Sequence, residues 1–162
     1  MTFITSSVAY AADGTINFTG NILDTACTVN TSTSTQTVNL GDIARSTFSS
    51  AGSVASPTAF NITLENCPAS VNSASVRFGG TSNPENSSLL SLSSGQTATG
   101  VGVALFEGDG STQIPLSTPS NRVVLDSAAV NTLRFVAKYM ATSNTVTAGS
   151  ANATTDFTIT YQ

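Results

Sequence analysis

The hydrophobic pattern of this chain is typical of short, half-buried β-strands. Polar and apolar side chains alternate with a period of two, and the apolar positions are rich in β-branched and aromatic residues. Alternation of this kind places one face of each segment on a core and the other face in solvent. The segments that show it most clearly are residues 15–22, 37–40, 60–64, 76–78, 101–105, 132–139 and 156–162.

Clusters of Gly, Pro, Asn and Ser separate these segments. Residues 107–111, EGDGS, predict a hairpin between strands at 103–106 and 113–116, and we prefer this turn to calcium binding by its two acids. Residues 40–48 have room for one helical turn, and the polar run 31–35 predicts a loop. Seven or eight short strands without a long helix indicate an all-β fold, an antiparallel β-sandwich.

The front of the chain carries a strand that such a sandwich does not need. Residues 13–23 alternate ahead of the first Cys, with Ile16, Phe18 and Ile22 on one face and polar side chains on the other. A strand of this kind requires an apolar groove for its apolar face. The front of the chain therefore predicts a spare strand.

The back of the chain poses the opposite problem. Phe157, Ile159 and Tyr161 alternate with polar residues up to Gln162, and we expect no further strand to cover this segment. An uncovered edge strand with three large apolar side chains is an aggregation hazard. The pattern thus predicts one spare strand at the front and one uncovered edge at the back.

Composition narrows the classes of function. Charged residues make up 9% of the chain, so Ser, Thr and Asn must supply the polar surface. The five basic residues are too dispersed for a phosphate-tracking patch, which argues against nucleic-acid binding. With no His and two Cys, a zinc site and a His-based triad are almost excluded. We therefore expect no enzyme, no cofactor and no metal site, and no apolar run is long enough for a membrane span.

The first residues and the cysteines indicate export. Residues 9–11, AYA, followed by Ala12, match a secretory cleavage site, so we interpret residues 1–11 as a signal-peptide remnant; the alternative is a disordered terminus. Cys27 and Cys67 lie too far apart in sequence for a CxxC redox motif. In an exported domain we expect them to form a disulfide, with two buried free thiols as the alternative.

The ordered set of segments resembles the structural subunits of chaperone–usher pili, the type 1 fimbrial pilin family. The resemblance covers residues 12–162, and its segments are weak singly but specific together. The segments are the alternating leader with its Gly at 15–22, then residues 27–29, 36–41, 60–67, 100–103 and 135–139, and the end 151–162 with a penultimate Tyr.

The resemblance implies an incomplete immunoglobulin-like sandwich that lacks its final strand and is completed by donor-strand complementation. Residues 12–24 would be the donor-strand extension and residues 25–162 the pilin domain. A periplasmic chaperone would lend the missing strand first, and the extension of the next subunit would replace it at the outer-membrane usher. The product would be a fimbrium on the cell surface, reached through the periplasm.

The resemblance also assigns roles to residues. In the donor, Gly20 shares the anchor face and is expected either to meet a shallow pocket or to mark a bulge. For each groove residue the alternative is an ordinary core position. The expected sites are the donor strand Ile16, Phe18, Gly20 and Ile22; the acceptor groove Val29, Val38, Leu40, Phe157, Ile159 and Tyr161; the chaperone anchor Tyr161 and Gln162; and the disulfide Cys27–Cys67.

The expected function is that of a structural pilin that polymerises by strand exchange and supports bacterial adhesion. Its expected partners are further pilin copies in a homopolymer, a periplasmic chaperone, an outer-membrane usher and, through a tip adhesin, a host receptor. The alternatives are a minor adaptor or terminator subunit, a fimbrial adhesin that binds a host receptor, and a self-contained secreted sandwich whose leader folds back onto its own groove. One-domain length and the donor strand argue against the adhesin.

Overall fold

The computed structural model describes residues 14–20, 22 and 26–162. The predicted signal-peptide remnant lies outside the described residues, as do positions 12, 13, 21, 23 and 24 of the predicted extension and position 25 of the predicted domain. In chain order the elements are β1 Thr28–Val29, α1 Thr31–Ser34, a 3₁₀ helix Arg45–Thr47, β2 Val54–Glu65, β3 Ser73–Gly79, β4 Val101–Glu107, β5 Gln113–Ile114, β6 Val123–Val124, β7 Asn131–Ala141 and β8 Asp156–Tyr161.

The strands form two sheets in which every pairing is antiparallel. The larger sheet has the order β1-β2-β7-β4-β5, and the smaller one has the order β6-β3-β8. The longest ladder joins β2 and β7, where Ile62 lies opposite Leu133. The all-β antiparallel sandwich predicted from the alternation is confirmed.

The core lies between the sheets. Phe60, Phe78 and Phe135 form an aromatic cluster with ring centroids 5.1–5.9 Å apart, and the Phe78–Phe135 pair has edge-to-face geometry, which the ring quadrupoles favour. The inward side chains of β2, β3 and β7 around this cluster are almost fully buried, as the period of two requires. The deepest are Ile62, Leu64, Val76, Phe78, Leu133 and Phe135.

Strand β4 departs from the half-buried pattern, because all its residues from Val101 to Phe106 are buried. A second apolar cluster on the outer face of the larger sheet brings Leu89 against Ala104, Phe106 and Val136. The loop that carries Leu89 thus covers the face that alternation would leave in solvent. The prediction of a half-buried strand is wrong here, because a loop acts as a third layer.

Two short helical turns differ from the sequence prediction. The run predicted as a loop contains α1, whose first turn is capped by the Asn30 side chain accepting a hydrogen bond from the backbone N–H of Ser32 at 3.0 Å. The helical turn predicted within residues 40–48 is limited to the 3₁₀ helix Arg45–Thr47. Because a single turn carries no periodicity, a cap is its only clear sequence signal.

The hairpin predicted at residues 107–111 is confirmed as the turn between β4 and β5. Asp109 accepts hydrogen bonds from the backbone N–H groups of Ser111 at 2.8 Å and Thr112 at 2.9 Å. These hydrogen bonds, of which the one from Thr112 has the largest effect, lower the pKa of Asp109 from 3.8 to about 2. The Asp109 carboxylate therefore stabilises the turn by hydrogen bonds within its own loop.

Cys27 and Cys67 form a disulfide. The bridge joins the residue that precedes β1 to the segment that follows β2, and both cysteines are buried. Of the two alternatives left by the sequence, the structure has the bridge. It fixes the start of the first strand to the body of the sandwich.

Candidate functional site

An open apolar cleft of about 1200 Å³ lies between the two sheets. Residues 36–43, here called the first wall, border it on one side, and β8 with residues 146–155 borders it on the other. The floor of the cleft is the part of the sandwich core that no described strand covers. The apolar side chains of that floor are Phe60, Ile62, Phe78, Leu90, Val101, Val103, Leu105 and Ala137.

The first wall has the alternation of a strand without the pairing of one. Val38 and Leu40 are half-buried, whereas Thr37 and Asn39 are exposed, as the sequence predicts. Within residues 26–162, however, no backbone group of residues 36–43 forms a hydrogen bond with another backbone group. The side chains thus point as they do in a sheet, while most backbone donors and acceptors of the wall remain available to a neighbouring strand. The exceptions are the N–H of Gly41, which donates to the Asn39 side chain at 2.8 Å, and the carbonyl oxygen of Leu40, which accepts from the Ser56 hydroxyl.

The opposite border is an edge strand. β8 pairs with β3 from Asp156 to Tyr161, and no other described strand lies along its second edge. Its inward residues Phe157, Ile159 and Tyr161 are only half-buried, although their partners on β3 are fully buried. An apolar face is therefore incompletely covered along the whole strand.

The cleft contains some of the predicted groove residues and not others. Phe157 lines it from β8, and Tyr161 lies at the far end of that strand, where its hydroxyl donates to the carbonyl oxygen of Cys27 at 3.4 Å. This bond joins the end of β8 to the residue that precedes β1. Of the six predicted residues, Val38, Leu40 and Phe157 line the cleft, whereas Val29, Ile159 and Tyr161 pack against the core beside it.

Sequence reasoning missed Tyr139 and the loop before β8. The Tyr139 hydroxyl donates to the carbonyl oxygen of Ala151 at 2.9 Å and so holds residues 146–153 along the cleft. Burial raises the pKa of Tyr139 above its usual range, and burial does the same for Tyr161, so either phenol loses its proton only at a pH higher than usual. An aromatic residue at an inward position of β7, followed by a run of small residues, is the signal that was present.

The predicted donor residues are exposed. Ile16, Phe18 and Ile22 have exposed fractions of 78%, 92% and 101%, and residues 14–20 form no strand. A Cβ built on Gly20 meets no atom within 4 Å. In the described part of the leader, nothing enters the cleft of its own chain.

The end of β8 is tied to the neighbouring strand. The backbone carbonyl oxygen of Gln162 accepts from the N–H groups of Asn72 at 2.6 Å and Ser73 at 2.8 Å, while its side chain is exposed. Tyr161 packs beside it against the core. The two residues predicted as a chaperone anchor thus lie together at one end of the uncovered edge.

Other classes of site have little support in the described residues. Residues 14–20, 22 and 26–162 contain no group of three or more His, Cys, Asp or Glu side chains positioned to hold a metal ion. No helix in that same part of the chain is long and apolar enough to cross a membrane. The cleft is therefore the feature on which a functional argument rests.

Comparison with known proteins identifies the fold and the family. The family model "Fimbrial protein" matches residues 16–162. The type-1 fimbrial protein subunit of Serratia marcescens is 37% identical, with 98% of this chain and 92% of the relative covered. Long polar fimbria protein A of Salmonella typhimurium is 34% identical, with 98% and 91% covered.

Solved structures agree with this assignment. The antigen and type I fimbria protein of Burkholderia pseudomallei is 37% identical and superposes with a TM-score of 0.66 over 86% of this chain and 91% of that chain. A subunit in the structure of a chaperone–usher pilus shares the fold, with a TM-score of 0.70 at 21% identity, covering 97% of this chain and 100% of that chain. This chain therefore belongs to the fimbrial protein family and is a structural fimbrial subunit.

Proposed function

We propose that copies of this subunit polymerise by donor-strand exchange, in which residues 13–23 of one copy enter the cleft of the next. One observation carries the proposal: the same chain has an apolar cleft with unpaired backbone on both borders and an alternating segment whose apolar side chains are exposed. Each feature is unfavourable in water on its own. Bringing the two together between copies removes both.

The free energy of binding of an inserted strand favours one register over the others. An inserted strand forms main-chain hydrogen bonds with β8 and with the first wall, and these do not depend on sequence. Ile16, Phe18 and Ile22 would each contribute roughly 1.5–3 kcal/mol when buried. A slip of one residue would turn all three outward, so the anchors fix the register.

The same cleft explains why we expect a chaperone to bind the subunit. A subunit with an uncovered apolar edge aggregates unless another chain covers that edge, so we infer that a periplasmic chaperone does so before the usher joins copies at the outer membrane. Tyr161 and Gln162, together at one end of β8, are the residues we assign to the chaperone anchor. Residues 12–24 are then the extension and residues 25–162 the domain that receives a strand.

The alternative of a self-contained sandwich is less favoured. It requires the leader to close its own cleft, whereas Phe18 and Ile22 lie in solvent. A subunit that has both a donor segment and a cleft extends a polymer in both directions, which favours the shaft over a terminator.

The test uses a full chain whose own donor is silenced by Phe18→Asp with Ile22→Asp. Both side chains are exposed, so the fold should be unaffected. We expect this chain to remain monomeric and to bind a synthetic peptide of residues 13–23, which raises its Tm because the ligand binds only the folded state. The control is the same peptide with the two Asp substitutions. A donor-silenced chain that still polymerises, or that ignores the wild-type peptide, would refute the exchange.

The Gly20→Val variant tests the role of Gly20 in the donor segment. Because a Cβ at Gly20 meets nothing in the free subunit, we expect the variant to fold normally yet fail to form polymer, since the pocket opposite Gly20 would be too shallow. Circular dichroism of the free subunit and electron microscopy of assembled fibres measure the two effects. Normal fibres from Gly20→Val would assign Gly20 to a simple bulge.

A further inference from the structure

The first wall is attached to the sandwich by very few polar contacts. The Gln36 side-chain Nε2 donates to the carbonyl oxygen of Asn61 at 2.9 Å, and the Ser56 hydroxyl donates to the carbonyl oxygen of Leu40. Both hydrogen bonds join the wall to β2, and the wall residues that form them, Gln36 and Leu40, are four positions apart. Across residues 26–162 these are the hydrogen bonds that join residues 36–43 to the strands of the sandwich.

The second contact depends on an irregularity in β2. The β2–β7 register shifts between Ala55 and Thr58, and Ser56 within this bulge has a φ of 55°. A non-glycine residue in the left-handed region is uncommon, and Pro57 disfavours helical backbone at Ser56 still further. Such conformations persist where surrounding structure enforces them and concentrate at functional sites. Here the bulge carries the hydroxyl that reaches the wall.

We propose that Ser56 and Gln36 are positioning residues for strand exchange: they tether the first wall so that its free backbone is already placed for an incoming strand. This inference rests on the proposed function. The argument is one of preorganisation, because a segment that is fixed before binding loses less conformational entropy when it pairs. Without the tethers, residues 36–43 would have to be ordered at the expense of the donor's affinity.

The same reasoning separates this role from ordinary stabilisation. The first wall makes no backbone ladder with any of residues 26–162, so loss of a tether should leave the fold of the two sheets unchanged. The effect should appear only when a donor binds. We therefore expect tether variants to change donor affinity and the protection of the wall, with little change in the Tm of the free subunit.

The experiment uses the donor-silenced full chain and a fluorescein-labelled peptide of residues 13–23. Relative to that parent, Ser56→Ala and Gln36→Met should each weaken peptide binding by about two- to tenfold, the range expected for one hydrogen bond. The matched control is Ser117→Ala. Ser117 also has a left-handed backbone, with a φ of 65°, but its hydroxyl forms no hydrogen bond among the described residues.

Two further variants separate the hydroxyl from the backbone. Ser56→Gly accepts the left-handed conformation but removes the donor, so it should bind as weakly as Ser56→Ala. Ser56→Asn tolerates the same conformation and keeps an N–H donor, so it should recover part of the affinity. Hydrogen exchange of residues 36–43 should show strong protection by the peptide in the parent and weaker protection in the Ala and Gly variants.

The outcomes distinguish the two levels of the argument. Equal peptide affinity in the parent, Ser56→Ala and Gln36→Met overturns the tether and leaves strand exchange intact. A loss of affinity matched by a fall in the Tm of the free variant also overturns it, because the effect is then general destabilisation. A parent that does not bind the peptide refutes the proposed function itself.

Discussion

The centre of the larger sheet and the borders of the cleft are built from the same pattern of residues but have different structures. In β7 the residues from Phe135 to Ala137 pair with β2 on one side and with β4 on the other, and Phe135 is almost fully buried. The first wall alternates equally well, yet among the residues that the structure describes it has no backbone partner, and β8 has a partner on one side only. Alternation therefore decides which face is apolar, whereas a neighbouring strand decides whether the segment becomes part of a sheet.

The largest expected effect is in the paired region. Phe135→Ala removes one of the three rings of the aromatic cluster, and we expect it to destabilise the subunit by about 3–5 kcal/mol, since a buried cavity remains. Thermal unfolding measures the loss, and exposed Val124→Ala is the control with little effect. A loss below about 1 kcal/mol at Phe135 would mean that the centre is no better packed than the borders.

The disulfide is the next test, because it fixes the start of β1 to the paired region. Replacing Cys27 and Cys67 together by Ser should cost about 4 kcal/mol in the chain-entropy model for a loop of this size. The measurement is chemical unfolding of the oxidised protein and of the double variant. If the two unfold at the same denaturant concentration, the bridge has no structural role.

The border strand should respond differently with and without a donor. Phe157→Ala removes a side chain that lines the cleft and is half-buried before the donor binds, so we expect it to reduce the binding free energy of the 13–23 peptide by about 1 kcal/mol, the share that the remaining exposed area contributes. Thr158→Ala, on the exposed face of the same strand, is the control. Titration calorimetry of the donor-silenced chain measures both, and equal affinities would place the donor elsewhere.

The smallest effect is expected in the turn between β4 and β5. Since the folded state lowers the pKa of Asp109 from 3.8 to about 2, ionised Asp109 stabilises the fold above pH 3.8, and this contribution is lost as the pH falls through 2. Asp109→Asn should therefore lower the Tm slightly at pH 7 and by less at pH 2. Melting curves at both pH values provide the check; an equal difference at both would exclude the carboxylate as the cause.

Much of the fold follows from the period of two. β8 matches its predicted segment closely, because it has one face on the core and the other in solvent, and β7 does so although Val136 on its second face is buried in the outer cluster. β4 does not, because burial of its second face depends on Leu89, which is remote in sequence. The two-residue strands β1 and β6 are too short to show a period, and their existence depends on the neighbours they meet.

The candidate site was partly visible in the sequence. Val38, Leu40 and Phe157 stand at inward positions of alternating segments, and all three line the cleft. Tyr139 and Ser56 were not visible as part of it, because their roles depend on hydrogen bonds to Ala151 and Leu40 that tertiary structure alone creates. Pattern thus predicts which side chains face a groove, but not which residues hold its borders in place.

The free edge of β8 has a mechanical consequence. Hydrogen bonds between antiparallel strands lie across the strand direction. Tension applied along a strand seated on this edge would load the whole row in shear, so the bonds would share the force instead of parting one after another. An edge left unpaired in the single molecule would thereby give a fibre without covalent links between its subunits the means to withstand pulling.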